Sequence, residues 1–265
     1  MLFNIGDLVT RKSHNNDVVF KIIDIKDDIV FLKGINIRLV ADSSVDDLVM
    51  CKGCEDEYID GDEDVLERMS DIRNLDRDEY FYLPGKVLHI DADKDYLQRC
   101  LKFYKDMNIL SYGLVLQEKD VAGVIKEHLK NINPDVLVIT GHDAFYEKSD
   151  KLLDNINYKN SGYFISAIKE ARDYEKDQNK LIIIAGACQS NYEELIKAGA
   201  NFASSPKRIN IHALDPAIIA SSVSLSDQSK PINLIPILDK TKYGKDGIGG
   251  IITNGVMYVG YPRWL

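Results

Sequence analysis

Four short apolar runs, Val87 to Ile90, Tyr112 to Leu116, Val136 to Ile139 and Leu181 to Ala185, follow one another along the chain with helix-patterned stretches between them. They constrain the fold more than any other feature. The first, third and fourth do not alternate with polar residues, the mark of strands covered on both faces of a parallel sheet. Between them, Asp93 is placed to cap a helix that carries Leu97, Cys100, Leu101 and Tyr104 on one face, and Val121 to Leu129 and Phe164 to Ala171 read as two further helices. This β-α-β-α-β succession predicts an α/β domain over residues 81–265: a doubly wound, mostly parallel sheet with helices on both faces.

In such sheets ligands bind at the carboxyl ends of the strands, and two of the runs end there in reactive side chains. Leu181 to Ala185 stops at Gly186, and a small-residue turn then presents Cys188 ahead of Ser190, a candidate cap for a helix starting near Tyr192. A helix N-terminus behind the turn favours a thiolate, the form that attacks. Val136 to Ile139 repeats the design and ends in Gly141, His142 and Asp143. His142 and Cys188, 46 positions apart, therefore form a candidate base and nucleophile for covalent acyl transfer without metal or cofactor. The oxyanion would be held by backbone amides beside Gly141, at Asp143, and at Cys188 itself, with Asp143 the candidate to orient His142. Downstream, Ser204 and Ser205 lead into a polar, turn-rich loop ending at Pro216, where substrate contacts concentrate. In it His212 is a second candidate base. Asp215 either faces a basic substrate side chain or caps a helix ahead of Pro216.

The first 48 residues read differently, as short strands at Leu8 to Arg11, Val18 to Ile25, Ile29 to Lys33 and Ile37 to Leu39, with turn chemistry between them. A small SH3- or KOW-type β-barrel is expected there. Residues 49–80 form an acidic linker, with a helix expected from Asp64 to Ile72 and a CxxC at Cys51 and Cys54. With no second CxxC, that pair reads as a solvent-facing turn rather than a zinc site. Four cysteines without a secretory signal point to reduced thiols. No apolar run reaches the roughly 20 residues of a membrane helix, so a cytoplasmic protein is expected. The net charge of -9 argues against a nucleic-acid partner and for basic peptide segments. Near the end, Ile232 to Leu238 reads as a sheet strand and Ile251 to Val259 as a hairpin turning at Asn254-Gly255.

Two resemblances bear on function. Leu88-His-Ile-Asp-Ala-Asp93 is similar to the acidic opening of a response-regulator receiver, whose carboxylates hold magnesium, which would imply a signalling or peptide-binding module without hydrolytic activity. That pattern lacks its phosphoacceptor, because the third strand ends in Gly141-His142. The second resemblance is broader. Gly141-His-Asp143 and Ala187-Cys188 resemble the signature of caspase-like cysteine peptidases. Val87-Leu-His-Ile-Asp91, Ala185-Gly-Ala-Cys-Gln-Ser190 and Ser204 through Pro216 resemble the YabG family of sporulation-specific proteases of endospore-forming bacteria, over nearly the whole chain. The resemblance implies a caspase-like fold and an endopeptidase of the mother-cell compartment or forming spore coat. It would process spore coat or germination precursor proteins after Arg or Lys, with Cys188 as nucleophile and His142 as base. The caspase-like pattern has His followed by Gly, whereas here Gly141 precedes His142.

Overall fold

A computed structural model describes residues 3–51, 53, 65–69, 80–146 and 155–261. The chain divides into two compact units, Met1–Glu67 and Arg68–Leu265.

The first unit is an antiparallel sheet of β1 (Leu8–Arg11), β2 (Phe20–Lys26), β3 (Ile29–Gly34), β4 (Val40–Ser44) and β5 (Leu48–Met50), in the order β4-β3-β2-β1-β5. Val9, Phe20, Ile22, Val30 and Leu32 are buried on one side. A register shift between Ile22 and Asp24 inserts one residue, so the period-2 pattern changes phase after Ile23. The fourth strand lies at Val40–Ser44, not at Ile37 to Leu39, and Leu48–Met50 adds a fifth that the charged sequence around it hides. Of the basic residues in this unit, Arg38 is fully buried and Arg11 stands over the Phe20 ring at 5.1 Å, so both serve the fold. Cys51 is disulfide-bonded, which corrects the expectation of reduced thiols at this position. Cys54 and most of the acidic linker lie outside the described residues. Residues 65–68 are helical, Met69 is in a turn, and the rest of the expected helix lies outside the described residues.

The second unit is built on six strands, β7 (Val87–Asp91), β8 (Ser111–Val115), β9 (Val136–Thr140), β10 (Ile182–Ala185), β11 (Phe202–Ser204) and β12 (Ile248–Gly250), ordered β12-β11-β10-β9-β7-β8. All neighbours are parallel except β11 and β12. Every residue of β7, β9 and β10 is buried, as unalternating apolar runs require. Helices α1 (Lys94–Asp106), α2 (Glu118–Ile132), α3 (Ser161–Tyr174), α4 (Tyr192–Ala198) and α5 (Asp215–Ser224) flank it. The core against α2, α3 and α4 joins Leu88, Ile90, Leu137, Ile139, Ile183 and Ala185 to Val121, Ile125, Phe164, Ile168 and Leu195. The sheet is thus mixed α/β and mostly parallel, and its strand order reverses between β7 and β9, which opens a crevice at their carboxyl ends.

The C-terminal part departs from expectation in three places. Helix α5 is buried all round and so has no polar stripe for the sequence pattern to reveal. The run expected as a strand is the short helix α6 (Leu234–Leu238), where Pro236 sits in the first turn, whose amides have no intrahelical partner. The expected hairpin is absent. Asn254 bridges to Pro231 and Met257 to Asp227, and β13 (Tyr258–Gly260) pairs with β6 (Phe81–Leu83). Gly255 is needed for that close approach: a Cβ there would lie 2.0 Å from the Ser226 carbonyl oxygen. Among the described residues, no helix is long and apolar enough to cross a membrane.

Candidate active site

Strands β9 and β10 pair in register, Val136 with Ile182 and Ile139 with Ala185. The strands end at Thr140 and Ala185, and the turns that follow carry His142 and Cys188 at the same carboxyl edge of the sheet. Gly186 makes the turn possible: its φ of 108° belongs to the left-handed region, and its amide still donates to Ile139 O at 3.1 Å before the chains part.

His142 is held from three sides. Its amide donates to Glu118 Oε1 at 2.8 Å, its carbonyl accepts from Asn160 Nδ2 at 2.7 Å, and the Tyr96 ring packs 5.7 Å from the imidazole. Gly141 leaves room for the first contact, since a Cβ there would meet Glu118 Oε1 at 2.4 Å. Imidazole Nε2 lies 3.4 Å from Asp93 Oδ2. Nδ1 is buried and has no hydrogen-bond partner among the described residues. If Nε2 carries the proton on the carboxylate side, Nδ1 is the basic nitrogen.

Asp143 turns its side chain elsewhere. Oδ1 accepts from its neighbour Ala144 N at 2.9 Å and from Asn160 N at 2.7 Å, while Oδ2 accepts from the hydroxyls of Ser161 and of Ser190, the latter at 2.9 Å. Burial pushes this carboxyl's pKa up, and the four donors pull against that shift. Ser190 Oγ also accepts from Ala187 N at 2.9 Å, so one carboxylate ties the His142 loop, the start of α3 and the Cys188 turn together. For the same reason Ser190 does not cap α4: its hydroxyl is engaged, and Asn191 stands at the N-cap with its side-chain amide donating to Asn155 Oδ1 at 2.9 Å rather than capping the helix. The Asp143 amide makes no hydrogen bond among the described residues.

Cys188 is fully buried and accepts a hydrogen bond from Ile211 N at 3.3 Å. The segment 205–213 lies over it. Ser205 Oγ accepts from Gln189 N at 2.9 Å and reaches the carbonyls of Ala187 (3.1 Å) and Ile209 (2.7 Å). Arg208 anchors the far side through Tyr158 Oη at 2.6 Å and through a short contact with the Glu193 carboxylate. Gln189, Ser205 and Arg208 all have positive φ, at 59°, 63° and 56°, a conformation uncommon for residues with a side chain.

Of the candidate substrate residues, Ser204 ends β11 and is buried with Ser205. His212 is buried, and its Nδ1 accepts from Leu214 N at 3.2 Å. Asp215 opens α5, where Leu214 is the N-cap. Its two oxygens accept from His212 N (2.8 Å) and Lys242 N (2.9 Å), and burial raises its pKa to about 6. Glu118 and Asn160 were missed by sequence reasoning. Glu118 stands in the first turn of α2 among other acids, and only the fold shows that its carboxylate turns inward. Asp91, one of the receiver-like acids, is fully buried and accepts from Asp93 N at 2.9 Å and Thr140 Oγ1 at 2.7 Å. Among the described residues, no three His, Cys, Asp or Glu side chains cluster as metal ligands.

The family model described as YabG peptidase U57 matches residues 4–262. The chain belongs to the YabG peptidase family. It is 40% identical over 287 residues to the Sporulation-specific protease YabG of Bacillus subtilis (strain 168), covering 99% of both chains. YabG membership makes this a protease.

Proposed function

We propose that the protein is a cysteine endopeptidase of sporulating cells in which Cys188 attacks the scissile carbonyl and His142 takes the thiol proton. The parallel pairing of β9 and β10, whose carboxyl ends lead within three residues to His142 and Cys188, supports this reading. As the carbonyl carbon becomes tetrahedral, the new C–S bond forms and the negative charge moves to oxygen, where the amides of Asp143 and Cys188 beside Gly141 are the donors. His142 then returns its proton to the leaving amine, and water hydrolyses the acyl-enzyme by the same route in reverse. Asp143 supports both halves of the site through Ser161 and Ser190. The relative's name, a sporulation-specific protease, supports a role in sporulation.

The substrates would be spore coat or germination precursor proteins in the mother-cell compartment or the forming coat. Cleavage after Arg or Lys fits a chain of net charge -9 with Asp215 beside the segment over Cys188. Substrate entry requires that segment to move, because Ser204, Ser205, His212 and Asp215 are all buried. The mostly parallel sheet with its antiparallel last strand is the arrangement expected of a caspase-like peptidase, and the N-terminal sheet that of an SH3- or KOW-like docking module. The test is incubation of wild-type, Cys188→Ala and His142→Ala proteins with casein and a basic unstructured protein, with cut sites mapped by mass spectrometry. Cleavage by wild type alone, after Arg or Lys, is expected. Equal cleavage by the variants would sink the mechanism, and cuts after Asp or apolar residues would sink the specificity.

A further inference from the structure

We infer that Asp93 is the positioning residue for His142, its carboxylate fixing the imidazole so that Nε2 carries the proton and Nδ1 is left to receive the thiol's. The inference rests on the reading of His142 as the base. It concerns a residue whose obvious task is another one, capping α1: Oδ1 accepts from Asp95 N at 2.9 Å and from Tyr96 N at 3.2 Å. A cap uses one oxygen. The other, Oδ2, faces His142 Nε2 at 3.4 Å, within the range that catalytic hydrogen bonds span before substrate binds. The pair bridges the crevice between β7 and β9, where the strand order reverses. Tyr96, in the first turn of α1, packs its ring on the imidazole, so the same helix start supplies the carboxylate and the wall.

Asp93 is itself held by a buried chain that the peptide chemistry does not otherwise use. Its amide donates to Asp91 Oδ1, and Asp91 Oδ2 accepts from Thr140 Oγ1. Thr140 has a single hydroxyl hydrogen, so with it given to Asp91 the hydroxyl accepts from His89 Nε2 at 2.8 Å. His89 Nδ1 then accepts from Tyr104 Oη at 2.9 Å. His89 and Asp91 are fully buried, and the chain runs from Tyr104 in the last turn of α1 through β7 and β9 to the residue that caps the helix. When His142 takes the thiol proton at Nδ1, Nε2–H remains on the Asp93 carboxylate. No proton passes to Asp93, whose negative charge faces the new imidazolium.

The residue can be tested without losing the helix, because Asn and Ser cap about as well as Asp. Asp93→Asn and Asp93→Ser of the full chain are compared with wild type, His142→Ala and Cys188→Ala for iodoacetamide labelling of Cys188, read by mass, and for casein cleavage. Both Asp93 variants are expected to melt within about 2 °C of wild type, to label Cys188 at least about tenfold more slowly, and to lose kcat by a similar factor with KM little changed. Labelling of Cys188 in either variant within twofold of wild type, with His142→Ala slow, would overturn the role of Asp93 and leave the Cys-His reading standing. Fast labelling in His142→Ala would instead remove the base on which both rest.

Discussion

Replacing Asp143 by Asn tests whether the two halves of the site are pinned by one carboxylate. Asn keeps an oxygen for the amides of Ala144 and Asn160 but puts an NH2 group where the hydroxyls of Ser161 and Ser190 donate. Each hydroxyl already accepts from an amide, Ser190 Oγ from Ala187 N and Ser161 Oγ from Asn191 N. Two hydroxyl hydrogens therefore lose their acceptor in a region that excludes water. At about 1–3 kcal/mol for each of the two buried groups left unsatisfied, the loss is about 2–6 kcal/mol. For a unit of this size, at about 2–4 °C per kcal/mol, that lowers the melting temperature by about 4–24 °C. Differential scanning calorimetry measures it, and a cycle with Ser190→Ala isolates the shared bond: the two losses should fall short of adding when combined. A melting temperature within about 2 °C of wild type, or full additivity with Ser190→Ala, would refute the shared clamp.

Asp215 gives a pH dependence. Its carboxyl titrates near 6 when folded against 3.8 unfolded, so the stability linked to its proton is complete below about pH 4 and is lost as pH rises through about 6, a change of about 3 kcal/mol. Urea unfolding from pH 4 to 7 should show this slope in wild type and lose it in Asp215→Asn; parallel slopes would contradict it. Arg208→Ala removes the anchor to Tyr158 and Glu193 and should speed iodoacetamide labelling of Cys188 several-fold, whereas an unchanged rate would mean that the overlying segment is held otherwise. Ile139→Ala in β9, buried on both faces, should cost about 2–5 kcal/mol in denaturant unfolding.

The parallel strands were legible because burial on both faces leaves runs such as Val136 to Ile139 and Leu181 to Ile184 with no polar residue, and the glycines at 141 and 186 mark where they end. The 46-residue spacing of His142 and Cys188 turned out to equal the β9–β10 register offset. Other features depended on distant partners. Asp93 read as a cap and is one, but its second oxygen meets His142 only because β7 and β9 are neighbours. Asp143 stood next to the histidine in sequence, yet its side chain follows the backbone toward Ser161 and Ser190. Helix α5 carried no amphipathic signal because everything around it is protein. Asn254-Gly255 looked like a hairpin turn, but the glycine answers to the Ser226 carbonyl rather than to its own strand.

The central claim is that Cys188 forms the acyl bond, and the most direct measurement is where a peptidyl acyloxymethyl ketone attaches. With an Arg-containing reagent, peptide mass mapping should find one adduct per chain, on Cys188, lost in Cys188→Ala and strongly slowed in His142→Ala. Cys100, equally buried on α1, is the internal control and should stay unlabelled. Attachment at Cys100 instead of Cys188, or undiminished cleavage of casein by a protein whose Cys188 is fully modified, would contradict the account.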